Sequence, residues 1–351
     1  MAKETSVLTR PYDVVDVVII GAGPGGLSCA KHLAGSSKKV LVLEKSAGLG
    51  EKICSGLISP KAFPGEAMDR GIPWTAISVA THGTKKSVTF DRPYLWTLGR
   101  KDIEGRLLRD CTAEVHFSEP VRRITRDFVD TDQGRYGYRH LVGADGSLSR
   151  VRKYLGLPSK NVVGWALHYI LDRPCTEFQM HWVPREFKSA YGYMMPKNRN
   201  QTMAGLAWAG ETFDAAVAAR AKRWVAQTFA IDPDRTPHEA MKGNADYRGW
   251  RFGNTYLIGD AGGFLNPVTT EGIWFAMRSG EGVAKFILGD AEGEKILAKM
   301  VADHRKQVRI FNLMTNRKLP LCWFIEWLFR NPGKGLRRKI FDGVFWRLME
   351  G

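Results

Sequence analysis

Along most of the chain, apolar residues fall in short runs separated by turn signals, and only a few stretches carry helical spacing. Val17–Ile20 is a β-branched run that enters a cluster of glycines. A helix is expected from there through about His32, and Val40–Glu44 reads as a second strand, so the described pattern opens with a β-α-β unit. Asp102–Cys111 reads as a helix. Glu114–Val142 then shows short alternating runs broken by Pro120, Asp127 and Gly134, the pattern of a β-meander. Between Val162 and Ala209, aromatic-rich strands alternate with Pro174, Pro184 and Pro196, which predicts an antiparallel sheet and not another doubly wound unit. Asp214–Phe229 is a helix, Asn254–Ile258 a buried strand, and a Gly-rich turn then leads into a long helix through Leu288. No internal repeat or low-complexity linker interrupts this order, so the second sheet is expected to be inserted into the first unit and not tethered beside it.

Composition adds bounds. A chain of 351 residues with 44% apolar and 25% charged residues builds one large domain or two interleaved ones, and does not fit extended disorder or multiple membrane spans. Lys and Arg number 52 against 36 Asp and Glu, and the net charge of +16 favours an acidic partner: a phosphorylated small molecule, an anionic membrane surface or nucleic acid. No RRM, KH, zinc-finger or helix-turn-helix pattern is visible, so nucleic acid is not expected. The five cysteines (Cys29, Cys54, Cys111, Cys175, Cys322) are scattered, without a Cys-x-x-Cys pair or a His cluster at metal spacing. Free thiols in a reducing compartment and no metal site are the expectation. Residues 1–12 are polar and carry no apolar signal core, and the apolar run after Asp16 meets glycines before reaching spanning length. A cytoplasmic location is expected, which includes the inner surface of a membrane. From Val301 onward, 51 residues hold 11 Lys or Arg against four acids, interleaved with Trp323, Phe324, Trp327, Phe329, Phe345 and Trp346. Such a mixture suits peripheral contact with a bilayer, and equally a basic helix that packs its Trp residues on the main body.

The candidate chemistry starts at Gly21-Ala22-Gly23-Pro24-Gly25-Gly26, which fits G-x-G-x-x-G, follows a strand and opens a helix. Gly21 makes the turn, Gly23 lets the backbone approach a pyrophosphate whose charge meets the helix N-terminus, and Gly26 allows close helix-to-strand packing. Glu44 lies 18 residues after Gly26 at the end of the second strand, with Lys45 beside it. A carboxylate there accepts hydrogen bonds from an adenosine ribose and repels a 2′-phosphate. NAD and FAD both suit this motif, and two later segments decide. Leu141-Val142-Gly143-Ala144-Asp145-Gly146 ends a strand with an acid–glycine pair, and Leu257-Ile258-Gly259-Asp260-Ala261-Gly262 does the same before the long helix. Asn266-Pro267 and Glu271-Gly272 flank the start of that helix, whose free N–H groups and positive dipole end suit the negative charge of a reduced flavin. A Pro turn with Thr270 as N-cap fits the same residues.

In this order and spacing the segments resemble the flavoprotein hydroxylase superfamily. The resemblance implies that Asp145 lies near the pyrophosphate, that Gly259 and Asp260 hold the ribityl chain, and that Arg100 contacts the flavin; Glu104 stands where an aspartate is usual. It also implies FAD as cofactor and a p-hydroxybenzoate hydroxylase-like α/β fold. In that fold a Rossmann-type FAD domain (13–75, 95–160 and 245–290) would carry an inserted antiparallel-sheet substrate domain (76–94 and 161–244) and a helical C-terminal tail (291–351).

Three further features are similar to the geranylgeranyl reductase branch, which saturates isoprenoid double bonds. Lys52-Ile53-Cys54-Ser55-Gly56 resembles that branch's Lys-Pro-Cys-Gly-Gly, whose cysteine lies near the flavin. Tyr191-Gly192-Tyr193-Met194-Met195-Pro196-Lys197 is similar to its Tyr-x-Trp-x-Phe-Pro-Lys substrate segment. Gly262 through Pro267, with Glu271-Gly272-Ile273 and Ala276-Met277, is similar to its segment after the ribityl acid. Alternation puts Tyr191, Tyr193 and Met195 on one wall and Gly192 and Met194 on the other, although such residues also make ordinary core. The branch implies an isoprenoid or prenylated lipid substrate, phosphorylated at a head group that Lys197 would hold. Cys54 would be the acid that protonates the alkene in an apolar pocket, with Tyr191 as the alternative. With a single dinucleotide fingerprint, the electron donor is NAD(P)H docking transiently or a reduced carrier protein. Rivals are an FAD-dependent monooxygenase of an aromatic substrate, a flavin halogenase with its Trp-x-Trp-x-Ile-Pro segment, and a non-catalytic flavin or prenyl-lipid binder at a membrane.

Overall fold

The computed structural model describes residues 13–81, 83–157, 163–183, 187, 190–209, 214–315 and 321–350. Residues 1–12, Val162 and Pro184, singled out above, lie outside the described residues, as do the side chains of Cys322, Trp323, Phe345 and Trp346.

The β-branched run before the glycines becomes the strand Asp13–Ile20 in the middle of an eight-stranded sheet. Arg135–Gly143 and Val40–Leu43 flank it in parallel, and Thr255–Leu257 and Glu114–His116 extend the parallel block on either side. Both faces of this block are covered, which explains why its strands read as continuous apolar runs. Val17, Ile19, Val42 and Val142 pack on one face with Leu27, Ile103 and Val283 from helices. Val18, Ile20, Leu41 and Leu141 pack on the other with Val129 and Tyr138. Only part of the expected meander is one: Arg123–Ile124, Phe128–Asp130 and the start of Arg135–Gly143 pair antiparallel, whereas Glu114–His116 joins the parallel block.

The second sheet has seven strands in the order His238–Asn244, Val163–Leu171, Thr202–Ala209, Ala190–Pro196, Gln179–Trp182, Ala76–Thr81, Thr84–Thr89. It is antiparallel except where Gln179–Trp182 runs parallel to Ala76–Thr81. The helix Ala215–Phe229 starts where the sequence placed it, with Asp214 Oδ1 accepting from the Val217 N–H at 2.8 Å, and packs on one face of this sheet. The other face carries Tyr193, Met195, Ile77 and Val79 against Leu328 and Phe341 of the C-terminal helices Leu321–Arg330 and Gly335–Glu350. Those helices therefore bury one edge, while Phe324, Trp327 and Leu336 stay exposed. Among the described residues no helix is long and apolar enough to cross a membrane.

The expected long helix follows Gly272 as Ile273–Ile287, and the Gly-rich turn before it holds a four-residue helix, Gly259–Gly262, with the loop that carries Asn266 and Glu271 between them. Ile273–Ile287 crosses the first helix, Pro24–Leu33, at very short range: a Cβ on Gly280 would lie 2.3 Å from the Gly25 carbonyl oxygen. Gly280→Val should drive the two helices apart at a cost of about 1–3 kcal/mol, the usual scale of overpacking. Thermal unfolding followed by circular dichroism should show a lower midpoint, and an unchanged midpoint would refute the tight crossing.

Candidate active site

Ile20, Leu43, Gly143 and Leu257 are register partners across four neighbouring parallel strands. The residues that follow them therefore emerge side by side at the carboxyl edge of the sheet, where open α/β sheets bind ligands. This brings the glycine turn, Glu44, Asp145 and Gly259-Asp260 together. Gly21 sits at φ 106°, and a Cβ there would lie 2.5 Å from the Ala144 carbonyl oxygen; one on Gly26 would lie 1.9 Å from that of Gly21. Gly23 differs. A Cβ on it would meet only the Arg100 guanidinium, at 3.3 Å, so the surface above it is open backbone roofed by a cation.

Glu44 accepts the Ala22 N–H at 2.7 Å and the Ser46 N–H at 2.9 Å, with Lys45 exposed beside it. Asp145 accepts the Arg150 N–H through Oδ2 at 2.6 Å, while its Oδ1 is buried without a hydrogen-bond partner. Burial pushes this carboxyl above the ordinary range, against the lowering effect of Ser149 and the neighbouring N–H groups. Lys52 Nζ stands 3.6 Å from Asp260 Oδ2 and 3.6 Å from where a Gly146 Cβ would be. Asp260 in turn faces Gly272, the uncapped start of Ile273–Ile287. A buried acceptor oxygen left open, a bare glycine surface and two cations, Lys52 and Arg100, fit a bound dinucleotide with a charged pyrophosphate.

Arg100 begins the helix Arg100–Arg109 and is held by Glu104, Nε to Oε1 at 2.5 Å; the other Glu104 oxygen accepts the Gly50 N–H at 2.7 Å. Burial opposes the charge on Arg100, but Cys54 and Glu104 outweigh it and hold the guanidinium above its ordinary pKa. Cys54 packs on the apolar core on one side, yet its sulfur also faces Arg100 and the Gly56 N–H at 3.4 Å. The purely apolar pocket expected around this thiol is therefore half polar.

Opposite lies the aromatic wall. Tyr191, Tyr193 and Met195 share one face, Met194 lies on the other, and a Cβ on Gly192 would run into Trp224 there. Tyr191 and Tyr193 have ring centroids 6.0 Å apart. Burial, and after it Tyr191, Cys54 and Glu239, push the Tyr193 phenol well above its ordinary value, so the cysteine lies within electrostatic range of the wall. Tyr191 Oη is hydrogen-bonded to Thr270 Oγ1. Thr270 is thus not the N-cap of the following helix: it sits at φ 55° and Gly272 takes the cap position. Pro196 is buried at the strand end, and Lys197 is drawn to Glu239 at 3.5 Å. Glu271 is clamped by Lys61 Nζ at 3.0 Å and Ser59 Oγ at 2.9 Å. Sequence reasoning missed Lys52 as a bridge over the site, and it missed His168 and Glu239 behind Tyr193. Lys52 was legible from its place in the cysteine segment; the other two had no local signal.

Residues 19–82 match the NAD(P)-binding Rossmann-like domain family. Over 303 residues the chain is 27% identical to digeranylgeranylglycerophospholipid reductase of Methanocaldococcus jannaschii, covering 76% of this chain and 75% of that protein. Among solved structures it is similar to a geranylgeranyl bacteriochlorophyll reductase-like protein of Thermoplasma acidophilum, at TM-score 0.67 and 15% identity over 97% of this chain and 91% of that one. It is also similar to an HpxO variant of Klebsiella pneumoniae complexed with FAD, at TM-score 0.68 and 19% identity over 96% of this chain and 99% of that one. At these identities the likeness to solved structures shows the fold. In that fold a Rossmann-type sheet stands beside a second, mostly antiparallel one, with a helical C-terminus. A Val at Gly23 meets only the movable end of Arg100, so Gly23→Val should fold with unchanged circular dichroism while FAD, the expected cofactor, falls close to zero on release by denaturation. Full FAD content in that variant would overturn the glycine turn as the pyrophosphate seat.

Proposed function

We propose that this protein is an oxidoreductase that saturates C=C bonds of an isoprenoid chain on a lipid or prenylated, phosphorylated molecule. The observation that carries the reading is Cys54 beside Arg100, which roofs the glycine turn, within electrostatic range of Tyr193 in the wall it shares with Tyr191 and Met195. In this reading Glu44 and Lys45 would hold the adenosine end, Gly21, Gly23, Gly26 and Asp145 the pyrophosphate, and Gly259, Asp260 and Gly272 the ribityl chain, with Arg100 in contact with the cofactor. Bound FAD, once reduced by NAD(P)H or a carrier protein, supplies a hydride and its electron pair. The chain's own residues do the rest. The aromatic and Met side chains take up an apolar chain and exclude water, Lys197 at the strand end lies where an acidic head group emerges, and Cys54 gives a proton to the alkene carbon that does not receive hydride. An isolated alkene has no carbonyl to accept electron density, so a proton must arrive as the hydride does.

The C-terminal helices support contact with a bilayer. Exposed Phe324, Trp327 and Leu336 stand among basic residues, and Arg337 lies 4.4 Å over the Trp327 ring. Each Lys or Arg near an anionic surface contributes about 1 kcal/mol, screened by salt.

Dithionite-reduced protein incubated without oxygen with digeranylgeranyl glycerophospholipid should return lipid that is heavier in steps of two hydrogens by mass spectrometry. Insertion of an oxygen atom, and only in air, would instead establish a monooxygenase; unreacted lipid with retained flavin would establish a binder. Cys54→Ala should keep FAD and slow reoxidation by the lipid about 10²–10⁴-fold, the usual share of general acid catalysis. Trp327→Glu with Leu336→Glu should weaken sedimentation with anionic vesicles at low salt, and equal sedimentation would remove these helices as the membrane contact.

A further inference from the structure

Three polar side chains behind the aromatic wall form one row across the second sheet. Glu239 is the register partner of His168, His168 that of Gly205, and Gly205 that of Tyr193. Directly opposed residues of neighbouring strands face the same side, so the four positions share a face and the third has no side chain. A Cβ on Gly205 would lie 2.6 Å from the His168 Cβ. That gap lets the imidazole reach across a whole strand: Nδ1 lies 3.1 Å from Tyr193 Oη, and Nε2 lies 3.0 Å from Glu239 Oε2. His168 is 1% exposed and Tyr193 5%, whereas the Glu239 side chain is 33% exposed. The row therefore runs from water, beside Lys197, to the buried Tyr193 phenol, next to the Tyr191 ring and within electrostatic range of Cys54. Burial, against the pull of Glu239, holds His168 below its ordinary pKa, while, against partial burial, His168 and Lys197 hold Glu239 below its own, so a neutral ring with one N–H stands between a carboxylate and a phenol.

We propose that Glu239, His168 and Tyr193 form a proton relay that carries one proton from solvent to the aromatic wall for each double bond saturated. The relay rests on the reductase reading above. Saturation adds a hydride, drawn with its electron pair from the reduced flavin, to one alkene carbon and a proton to the other. Cys54 gives that proton and takes one from Tyr193 Oη. His168 returns a proton to the phenolate oxygen from Nδ1, and Nε2 takes one from Glu239 only after that carboxylate, held ionised by His168 and Lys197, has drawn a proton from water. Tyr193, His168 and Glu239 are positioning residues that act through Cys54.

The test is single-turnover, anaerobic reoxidation of the reduced holoprotein by digeranylgeranyl glycerophospholipid in H₂O and D₂O, with ¹⁵N NMR of the histidines as a readout independent of turnover. Tyr193→Phe, His168→Gln and Glu239→Gln should each retain FAD and reduction by dithionite. Tyr193→Phe and His168→Gln should slow reoxidation by about 10²-fold, the low end of general acid catalysis. Glu239→Gln should slow it less but enlarge the solvent isotope effect, which a merely structural role would leave alone. Tyr193→Phe should move the Nδ1 resonance of His168, and Glu239→Gln its Nε2 resonance. Wild-type rates and isotope effects in all three variants would overturn the relay while leaving the reductase reading standing. Wild-type protein that the lipid does not reoxidise would overturn the reductase reading and the relay with it, and unmoved His168 resonances would overturn the hydrogen-bonded row itself.

Discussion

Backbone hydrogen bonding between parallel strands holds Leu43, Ile20, Gly143 and Leu257 in one row, and everything at the candidate site is positioned by that row. A slip of one residue in any of these strands would move its loop by about 3.3 Å and turn its apolar side chains to the opposite face. The slip is prevented by burial on both faces, since Val17 and Val18, or Val142 and Leu141, cannot be exchanged between two packed layers without leaving both misfilled. Fixed register then makes four short, unrelated segments of sequence into neighbours. The glycines add close approach where it is needed, at Gly26 beneath Gly21 and at Gly280 against Gly25.

The second sheet divides its two faces between two tasks. One face is filled by the helix Ala215–Phe229, with Trp224 lying over Gly192 where a side chain would not fit. Its partner face carries the aromatic and Met residues together with the polar row from Glu239 to Tyr193. The C-terminal helices close part of that face through Leu328 and Phe341, so the same helices that expose Phe324 and Trp327 also bound the apolar region. An apolar chain taken from a bilayer and an apolar pocket would thus be joined through one element.

Charge is concentrated where these layers meet. Arg100 and Glu104 are both buried, and the pair holds because every strong group in it has a partner: Arg100 has Glu104 and Cys54, and Glu104 has Arg100 and the Gly50 N–H. Removing one member of such a pair typically costs about 3–5 kcal/mol, because the other charge is left buried and uncompensated. Glutamate in place of the usual aspartate has the reach to hold both the arginine and the loop at Gly50. Asp145 is the contrast: one of its oxygens is satisfied by helix N–H groups and the other is buried and open.

Local pattern by itself determined the first β-α-β unit, the helix capped by Asp214, the glycine turn with Glu44, the two acid–glycine pairs and the alternation of Tyr191, Tyr193 and Met195, because each of these is written within a few residues. The fold class followed from the order of those elements together with the resemblance to the flavoprotein hydroxylases. Tertiary structure alone decided what pairs with what. Glu114–His116, three residues long, joined the parallel block instead of a meander, and Thr270 bonded Tyr191 instead of capping a helix. His168 stands 25 residues from Tyr193 and 71 from Glu239, with a glycine on an intervening strand making the contact possible. No local spacing encodes that row: sheet register is set by burial summed over whole strands, and only that sum puts a histidine, a missing side chain and a phenol in line.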